Sequence, residues 1–246
     1  MKSIDLNCDL GEGLTTDEQI IPLISSANIA CGYHAGDVDT MKRTIELCLQ
    51  YNVTIGAHPS WPDKDNFGRI ELHKTAEEIY EIITAQLSLI AQVAKEQGVK
   101  LHHVKPHGAL YNQSAKDRTI AAAIAKAVYD FDSSLILFGL SGSISLTEAE
   151  ALGLQTAHEV FADRTYQDDG SLTPRTQPNA LITDEQTSLQ QVLQMINSNT
   201  VTSVTGKIIN LKADTICIHG DGSNAVDFAK TISYALKQAH IGIKAN

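Results

Sequence analysis

No stretch of this sequence approaches the ~20 consecutive apolar residues a helix needs to cross a bilayer, and its opening, MKSIDLNCD, has no apolar core of the kind a secretory signal carries. Cytoplasmic residence is the expectation. Basic runs are missing as well, and a formal net charge of -10 argues against nucleic acid or an anionic membrane as partner. Cys8, Cys31, Cys48 and Cys217 are far apart and form no CxxC pair, so nothing indicates a disulfide framework or a Cys-type zinc site, and small buried hydrophobes are expected. There is no GxxxxGK[ST] loop, since the nearest Gly-Lys pair, Gly206 with Lys207, lacks the upstream glycine. There is no HExxH either. The one HxxxH, His103 with His107, lies in a strand-like run, where four residues span roughly 13 Å and cannot share an ion.

What is present is a regular alternation. The 246 residues, 43% hydrophobic, can bury roughly 75% of their unfolded surface. Strand-like runs near 3 to 8, 27 to 31, 53 to 57, 102 to 106, 134 to 139, 155 to 160 and 214 to 219 alternate with helical patterns. Thr75 and Glu78 make a capping box ahead of Ile79, Ile82, Ile83, Leu87, Ile90 and Val93, and Gly98 supplies the stop. A similar box, Thr183 with Gln186, opens a helix bearing Leu189, Val192, Leu193 and Ile196, and alanine-rich patterns run from Ala115 to Tyr129 and from Asn224 to Ala239. Strand, helix, strand implies parallel pairing with right-handed crossovers. No repeat, linker or low-complexity tract divides residues 1–246, so one domain is expected.

The phase within the strands selects the architecture. Ile4, Leu6 and Cys8 face one way while Asp5, Asn7 and Asp9 face the other; Lys105 and His107 oppose Val104 and Pro106, and Thr215, Cys217 and His219 oppose Ile216 and Ile218. Parallel strands of an open sheet read apolar on both faces. A seven-stranded (β/α) barrel of α/β class, irregular for want of an eighth strand, with a polar lumen, is the expectation. The stretch 163–183 is long, contains Gly170, Pro174 and Pro178, and reads as a lid, a partner contact or a solvated loop.

Six apolar runs end in polar clusters: DLNCDLGE (5 to 12), ACGYHAGD (30 to 37), GAHPSWPD (56 to 63), VKPHGALYN (104 to 112), HEVFADR (158 to 164) and CIHGDG (217 to 222). In a parallel barrel such strand ends share one face, where an enzyme builds its site. A lysine inside a strand must snorkel, pair or face a polar lumen, so Lys105 and His107 on one side of their strand are strong candidates. Asp9 and Glu12 flank a glycine and suit general-base work, with helix capping by Asp9 as the structural alternative. His58 could orient a substrate or brace its turn. His34 with Asp37 could form an acid/base pair, although Asp37 equally resembles the N-cap of a helix from Val38. His219 and Asp221 sit at the last strand end, while Glu159, Asp163 and Arg164 suit structural ion pairs as well. His73, His102, His103 and His240 read as surface or packing residues. GDGSNA at 220 to 225 satisfies G-x-G-x-x-A between strand and helix, so Gly220, Asp221 and Gly222 offer a phosphate cradle.

Taken together with FGR at 67 to 69, these long motifs in fixed order resemble the lactam utilisation family, LamB/YcsF, over nearly the whole chain. The resemblance implies a seven-stranded barrel of the glycoside hydrolase and deacetylase kind. It implies ATP-dependent opening of 5-oxoproline to glutamate, as the A component of a 5-oxoprolinase with B and C partner subunits. Ile70 stands where a second Arg often follows FGR, Asn66 where Gly is usual, and Ser223–Asn224 where a Pro often follows HGD.

Opening a five-membered lactam needs an activated carbonyl, a base for water, a proton for the ring nitrogen and donors for the oxyanion. The catalytic candidates are Asp9, Glu12, His58, Lys105, His107 and His219, with Lys105 on the oxyanion or phosphate. Asn7, His34, Asp37, Arg69, Asn112, Glu159 and Arg164 stand as substrate contacts. ATP is expected through the complex. A divalent metal, were one held, is expected from Asp9, His58, His107 and His219, ligands on separate strands being invisible to spacing rules. Two rivals are a metal-dependent amide or carbohydrate deacetylase and a non-catalytic, substrate-binding member of a larger complex. A homo-oligomer is compatible with either.

Overall fold

The computed structural model describes residues 2–219 and 225–245. In chain order the strands are β1 (Ser3–Leu10), β2 (Ser26–Ala30), β3 (Thr54–His58), β4 (His103–Val104), β5 (Ile136–Leu140), β6 (Gln155–Phe161), β7 (Thr200–Thr202), β8 (Ile208–Asn210), β9 (Thr215–His219) and β10 (Gly242–Ile243). Seven of them close a parallel barrel in the order β1-β2-β3-β4-β5-β6-β9, with β9 pairing back onto β1. β10 adds in parallel to the start of β1, and β7 with β8 forms a separate antiparallel hairpin. The two-residue β4 is the irregular stave.

The helices are α1 (Asp17–Ile20), α2 (Val38–Tyr51), α3 (Ala76–Glu96), α4 (Gly108–Ser114), α5 (Arg118–Phe131), α6 (Ile144–Ala151), α7 (Glu185–Ser198) and α8 (Ala225–Gln238). The Thr75–Glu78 capping box is present in full. Two helix starts differ from the sequence reading. α7 is capped by Asp184, whose carboxylate accepts from Thr187 N at 2.7 Å, because a charged acceptor one residue on displaces the Thr183 box. The pattern expected from Ala115 begins at Arg118, since Asp117 caps α5 at Thr119 and Ile120, and Gly108–Ser114 ahead of it is a short helix that the alanine pattern did not include.

The packing keeps the strand phase. Ile4, Leu6, Cys8 and Leu10 join the main hydrophobic core beneath the helices, while Asp5, Asn7 and Asp9 on the alternate side are buried inside the barrel. Ile136, Phe138 and Ala157 form a small apolar cluster of their own. The imidazole of His103, read as packing, stacks on Phe138 at 4.2 Å. Gly56 makes room for that ring, since a Cβ there would meet His103 Nε2 at 2.1 Å. All four cysteines are free and buried.

The 163–183 stretch is folded rather than loose. Antiparallel bridges join Arg164 to Leu181 and Tyr166 to Leu172, and the buried Tyr166 hydroxyl accepts from Phe161 N at 2.8 Å. The Gly220–Asp221–Gly222 phosphate-cradle reading lies outside the described residues.

Candidate active site at the barrel mouth

The C-terminal strand ends surround a cavity of about 540 Å³ whose lining includes Asp9, Glu12, His58, Lys105, His107 and His219. Arg69, Asn112, Arg164 and the 171–176 part of the long loop complete its walls. Residues from β1, β3, β9 and the segment after β4 therefore converge, as a parallel barrel permits.

At the centre Lys105 Nζ lies 2.8 Å from Asp9 Oδ1, 2.8 Å from Glu159 Oε1 and 3.1 Å from Cys217 Sγ, with all of these side chains buried. Burial alone would strip the lysine of its proton; Asp9, then Cys217 and Glu159, outweigh it and hold the ammonium well above its ordinary range. Burial likewise works against an ionised Asp9, but His58 and Lys105 hold it well below the usual carboxylate range. The resting centre is an ammonium shared between two carboxylates. Tyr111 covers it, its phenol pushed well up by burial and by Glu159.

Beside it stand three imidazoles and Glu12. His58 Nδ1 donates to Lys105 O at 2.7 Å, and His107 Nε2 donates to Phe67 O at 2.9 Å. His34 lies parallel to His107 at 3.8 Å and reaches Glu12 Oε1 through Nε2 at 3.1 Å. Burial first, then the charge of His58, drives His34 down to about 3, and burial takes His107 well below its ordinary value. Local chemistry fixes this wall. Gln86 of α3 bonds both Ser60 N and Ser60 O at 2.9 Å, and Gln113 of α4 accepts from the Trp61 indole at 2.7 Å, which pins the loop after His58. Phe67 sits at φ 57, a costly value for a bulky residue, and there its carbonyl meets His107. Gly68 follows at φ 63, where a Cβ would strike Ser60 Oγ at 2.2 Å.

On the opposite wall His219 Nδ1 lies 2.9 Å from both oxygens of Asp163, and the ring stacks on Phe161 at 5.5 Å. Burial opposes the Asp163 charge, but His219, then Arg175 and Arg164, lower it. That bond fixes the ring and leaves Nε2 as the remaining nitrogen.

The structure separates several residues from the roles read in the sequence. Asp37 is exposed and caps α2 through Thr40 N at 2.8 Å, so it is no partner of His34. Asn7 sits deeper in the lumen, bonded to Thr215 and Asn28. Glu159 is fully buried as a counter-ion of Lys105. Arg164 gives its guanidinium to Thr173 O and Ala180 O, bracing the long loop, and burial brings it down to about 10. The metal set anticipated from Asp9, His58, His107 and His219 does not assemble. Among the described residues the groups with donors within 4.8 Å are Glu12, His34, His58 and His107, and separately Asp9, Cys217 and His219. Sequence reasoning misses Asn28, Tyr111 and Cys217; for Cys217 the strand phase, shared with His219, is the available signal.

The closed parallel β/α barrel is a fold that this chain shares with carbohydrate deacetylases of known structure. The fold resembles the catalytic domain of a peptidoglycan N-acetylglucosamine deacetylase from Eubacterium rectale, with a TM-score of 0.56 at 13% identity over 100% of this chain and 88% of that one; the likeness concerns fold alone. Much nearer is the crystal structure of a lactam utilization protein from Thermus thermophilus, with a TM-score of 0.94 at 39% identity and 100% coverage of both chains. A Tolumonas auensis protein that bears the name of the A component of 5-oxoprolinase is 52% identical over 250 residues, covering 100% of each chain. The LamB/YcsF family profile matches residues 4–246, and the chain belongs to that family.

Proposed function

We propose that this chain is the A component of an ATP-dependent 5-oxoprolinase, opening the lactam of 5-oxoproline to L-glutamate together with B and C subunits. The observation that carries the reading is the Lys105 ammonium held between Asp9 and Glu159 at the edge of a cavity whose far wall is the His219–Asp163 pair. The relatives' name agrees with it.

Hydrolysis of the lactam alone faces an unreactive amide and a product that recloses intramolecularly. Phosphorylation of the lactam oxygen, with ATP supplied through the complex, relieves both. Water adds to the activated carbon to give a tetrahedral centre that carries the phosphate, the new hydroxyl and the ring nitrogen, and Lys105 stabilises the charge on the phosphate-bearing oxygen. Asp9 takes the proton of that water. Its resting charge is stabilised by Lys105, so as the ammonium turns toward the phosphate-bearing oxygen the carboxylate becomes the stronger base its task requires. His219, fixed by Asp163, delivers the proton to the departing ring nitrogen; breaking the C-N bond leaves the glutamyl acyl phosphate, which a second water hydrolyses to L-glutamate and phosphate. Arg69 and Asn112 at the wall meet the substrate carboxylate, and Glu12, His58 and His107 form the opposite polar wall. No helix among the described residues is long and apolar enough to cross a membrane, and a cytoplasmic complex with access to ATP fits that.

The test is to incubate the purified chain with 5-oxoproline and ATP, alone and with its partner subunits, and to follow glutamate. Glutamate requiring ATP and all the subunits is expected; none in any combination refutes the substrate. The group of Glu12 with three imidazoles favours a second reading, an amide hydrolase that needs no ATP, and ATP-independent amide cleavage by the isolated chain would select it.

A further inference from the structure

His58 and His107 each commit one ring nitrogen to a backbone carbonyl, Lys105 O at 2.7 Å and Phe67 O at 2.9 Å. A carbonyl can only accept, so those nitrogens carry the protons, and in neutral rings the other two, His58 Nε2 and His107 Nδ1, are bare lone pairs. They face each other at 2.9 Å. Two acceptors at that distance repel unless a positive centre lies between or beside them. The Glu12 carboxylate points to the same place, 3.5 Å from His107 Nδ1 and 4.0 Å from His58 Nε2, and His34 Nε2 stands 3.1 Å from it. All four side chains are nearly or fully shielded from solvent, with exposures of 3% for Glu12, 0% for His34, 1% for His58 and 7% for His107. His34 Nδ1, also buried, has no hydrogen-bond partner among the described residues, so the proton that Nε2 shows to the Glu12 carboxylate can move to Nδ1 when an ion takes its place.

From this geometry we propose that Glu12, His34, His58 and His107 bind one divalent transition-metal ion of the zinc class. Tetrahedral ligands at ~2.05 Å from zinc are about 3.3 Å apart, and the four donor atoms, all within 4.8 Å of one another, need only modest adjustment to meet that. Three imidazoles and one carboxylate select zinc, cobalt or nickel over magnesium or calcium, which prefer all-oxygen shells. The carbonyls of Lys105 and Phe67 fix the tautomers and ring planes from outside, as second partners of metal-bound histidines do. The other donor group, Asp9 with Cys217 and His219, is a poor site by the same reasoning: the Lys105 ammonium already stands 2.8 Å from Asp9 and 3.1 Å from Cys217. An ion in the first group would lie beside Asp9, whose Oδ2 is 3.4 Å from His58 Nε2, and would polarise a substrate oxygen entering there.

Metal binding at these four residues does not depend on the identity of the substrate, and neither does its test. The full-length chain is stripped with chelator and dialysed against zinc or cobalt, and bound metal is counted by elemental analysis. One ion per chain is expected, with a cobalt visible spectrum characteristic of imidazole ligation. His34→Ala and Glu12→Gln should each weaken binding at least about tenfold, while His219→Ala should bind as the unaltered chain does. Circular dichroism checks the fold of each variant; if the ligand variants fail to fold, the wild-type cobalt spectrum and the His219→Ala stoichiometry still decide. Absence of stoichiometric metal in the folded wild type, with a low-field NMR proton shared between His58 and His107, would overturn the proposal. So would binding that His219→Ala abolishes and Glu12→Gln leaves intact.

Discussion

The two ends of the barrel lumen are built from the same strands with the same polar alternation, yet they solve opposite problems. At the closed end Asp5 accepts from Ser25 at 2.6 Å, Ser26 at 2.7 Å and Thr215 at 2.6 Å, so one carboxylate satisfies three hydroxyls. Asn28 then ties Asn7, Asp9 and His103 together. Four residues along β1, at Asp9, the donors and acceptors no longer balance: two carboxylates share one ammonium, and the second ring nitrogens of His58 and His107 face each other at 2.9 Å. A polar interior with every group matched is scaffold. One with mismatched charge is poised for a ligand.

Substitutions on either side should break that contrast. Lys105→Met ought to show the largest effect, leaving Asp9 and Glu159 as buried charges without their cation. A loss of about 3–5 kcal/mol in urea unfolding is expected, with turnover of the assembled complex falling about a hundredfold or more. His219→Ala comes next, since it removes the imidazole proposed to protonate the ring nitrogen, from a partly exposed wall. Glutamate formation should drop about a hundredfold while the unfolding midpoint barely moves. Asp5→Asn should do the reverse, lowering stability by about 1–3 kcal/mol and leaving turnover unchanged, because an amide NH2 replaces one of the two oxygens that accept from structural hydroxyls. A large turnover defect in Asp5→Asn with normal stability would erase the distinction between the two ends.

The smallest effect is in the pH dependence of unfolding. Burial raises the Asp5 carboxyl above its ordinary 3.8 despite the hydroxyls. The native state then holds more protons than the unfolded chain between 3.8 and that raised value, so this residue's contribution falls as pH climbs through the window. Asp163 has the opposite sign. Its lowered carboxyl contributes stability above 3.8 that is lost as pH drops through the folded value. Unfolding an acid series of wild type, Asp5→Asn and Asp163→Asn should show the two differences sloping in opposite directions.

Much of this was legible in the residues because a strand has period two. The alternation in Asp5, Asn7 and Asp9 announced a polar lumen, and the same phase placed Lys105 and His219 on it. Applied one step further it would have placed His103 there too, two residues before Lys105 and on its face. The partnerships were not legible. Which imidazole meets which depends on how far each strand-end loop reaches, and the pairing of His34 with Glu12 and His107 joins three loops with no common spacing. Asp37 and Asp184 show the converse limit: a carboxylate ahead of a helix reads as chemistry or as a cap, and only the bond to Thr40 N or Thr187 N decides.

The pairing of β1 with β9 carries a consequence for how the molecule comes into being. Asp9 and His219 are neighbours across that seam, separated by 210 positions of chain. The cavity therefore has no partial form: until the last stave docks against the first, a growing or refolding chain holds its acids and imidazoles on an open, curved ribbon. Closure over so long a loop is slow, and the cavity is complete only once that seam has formed.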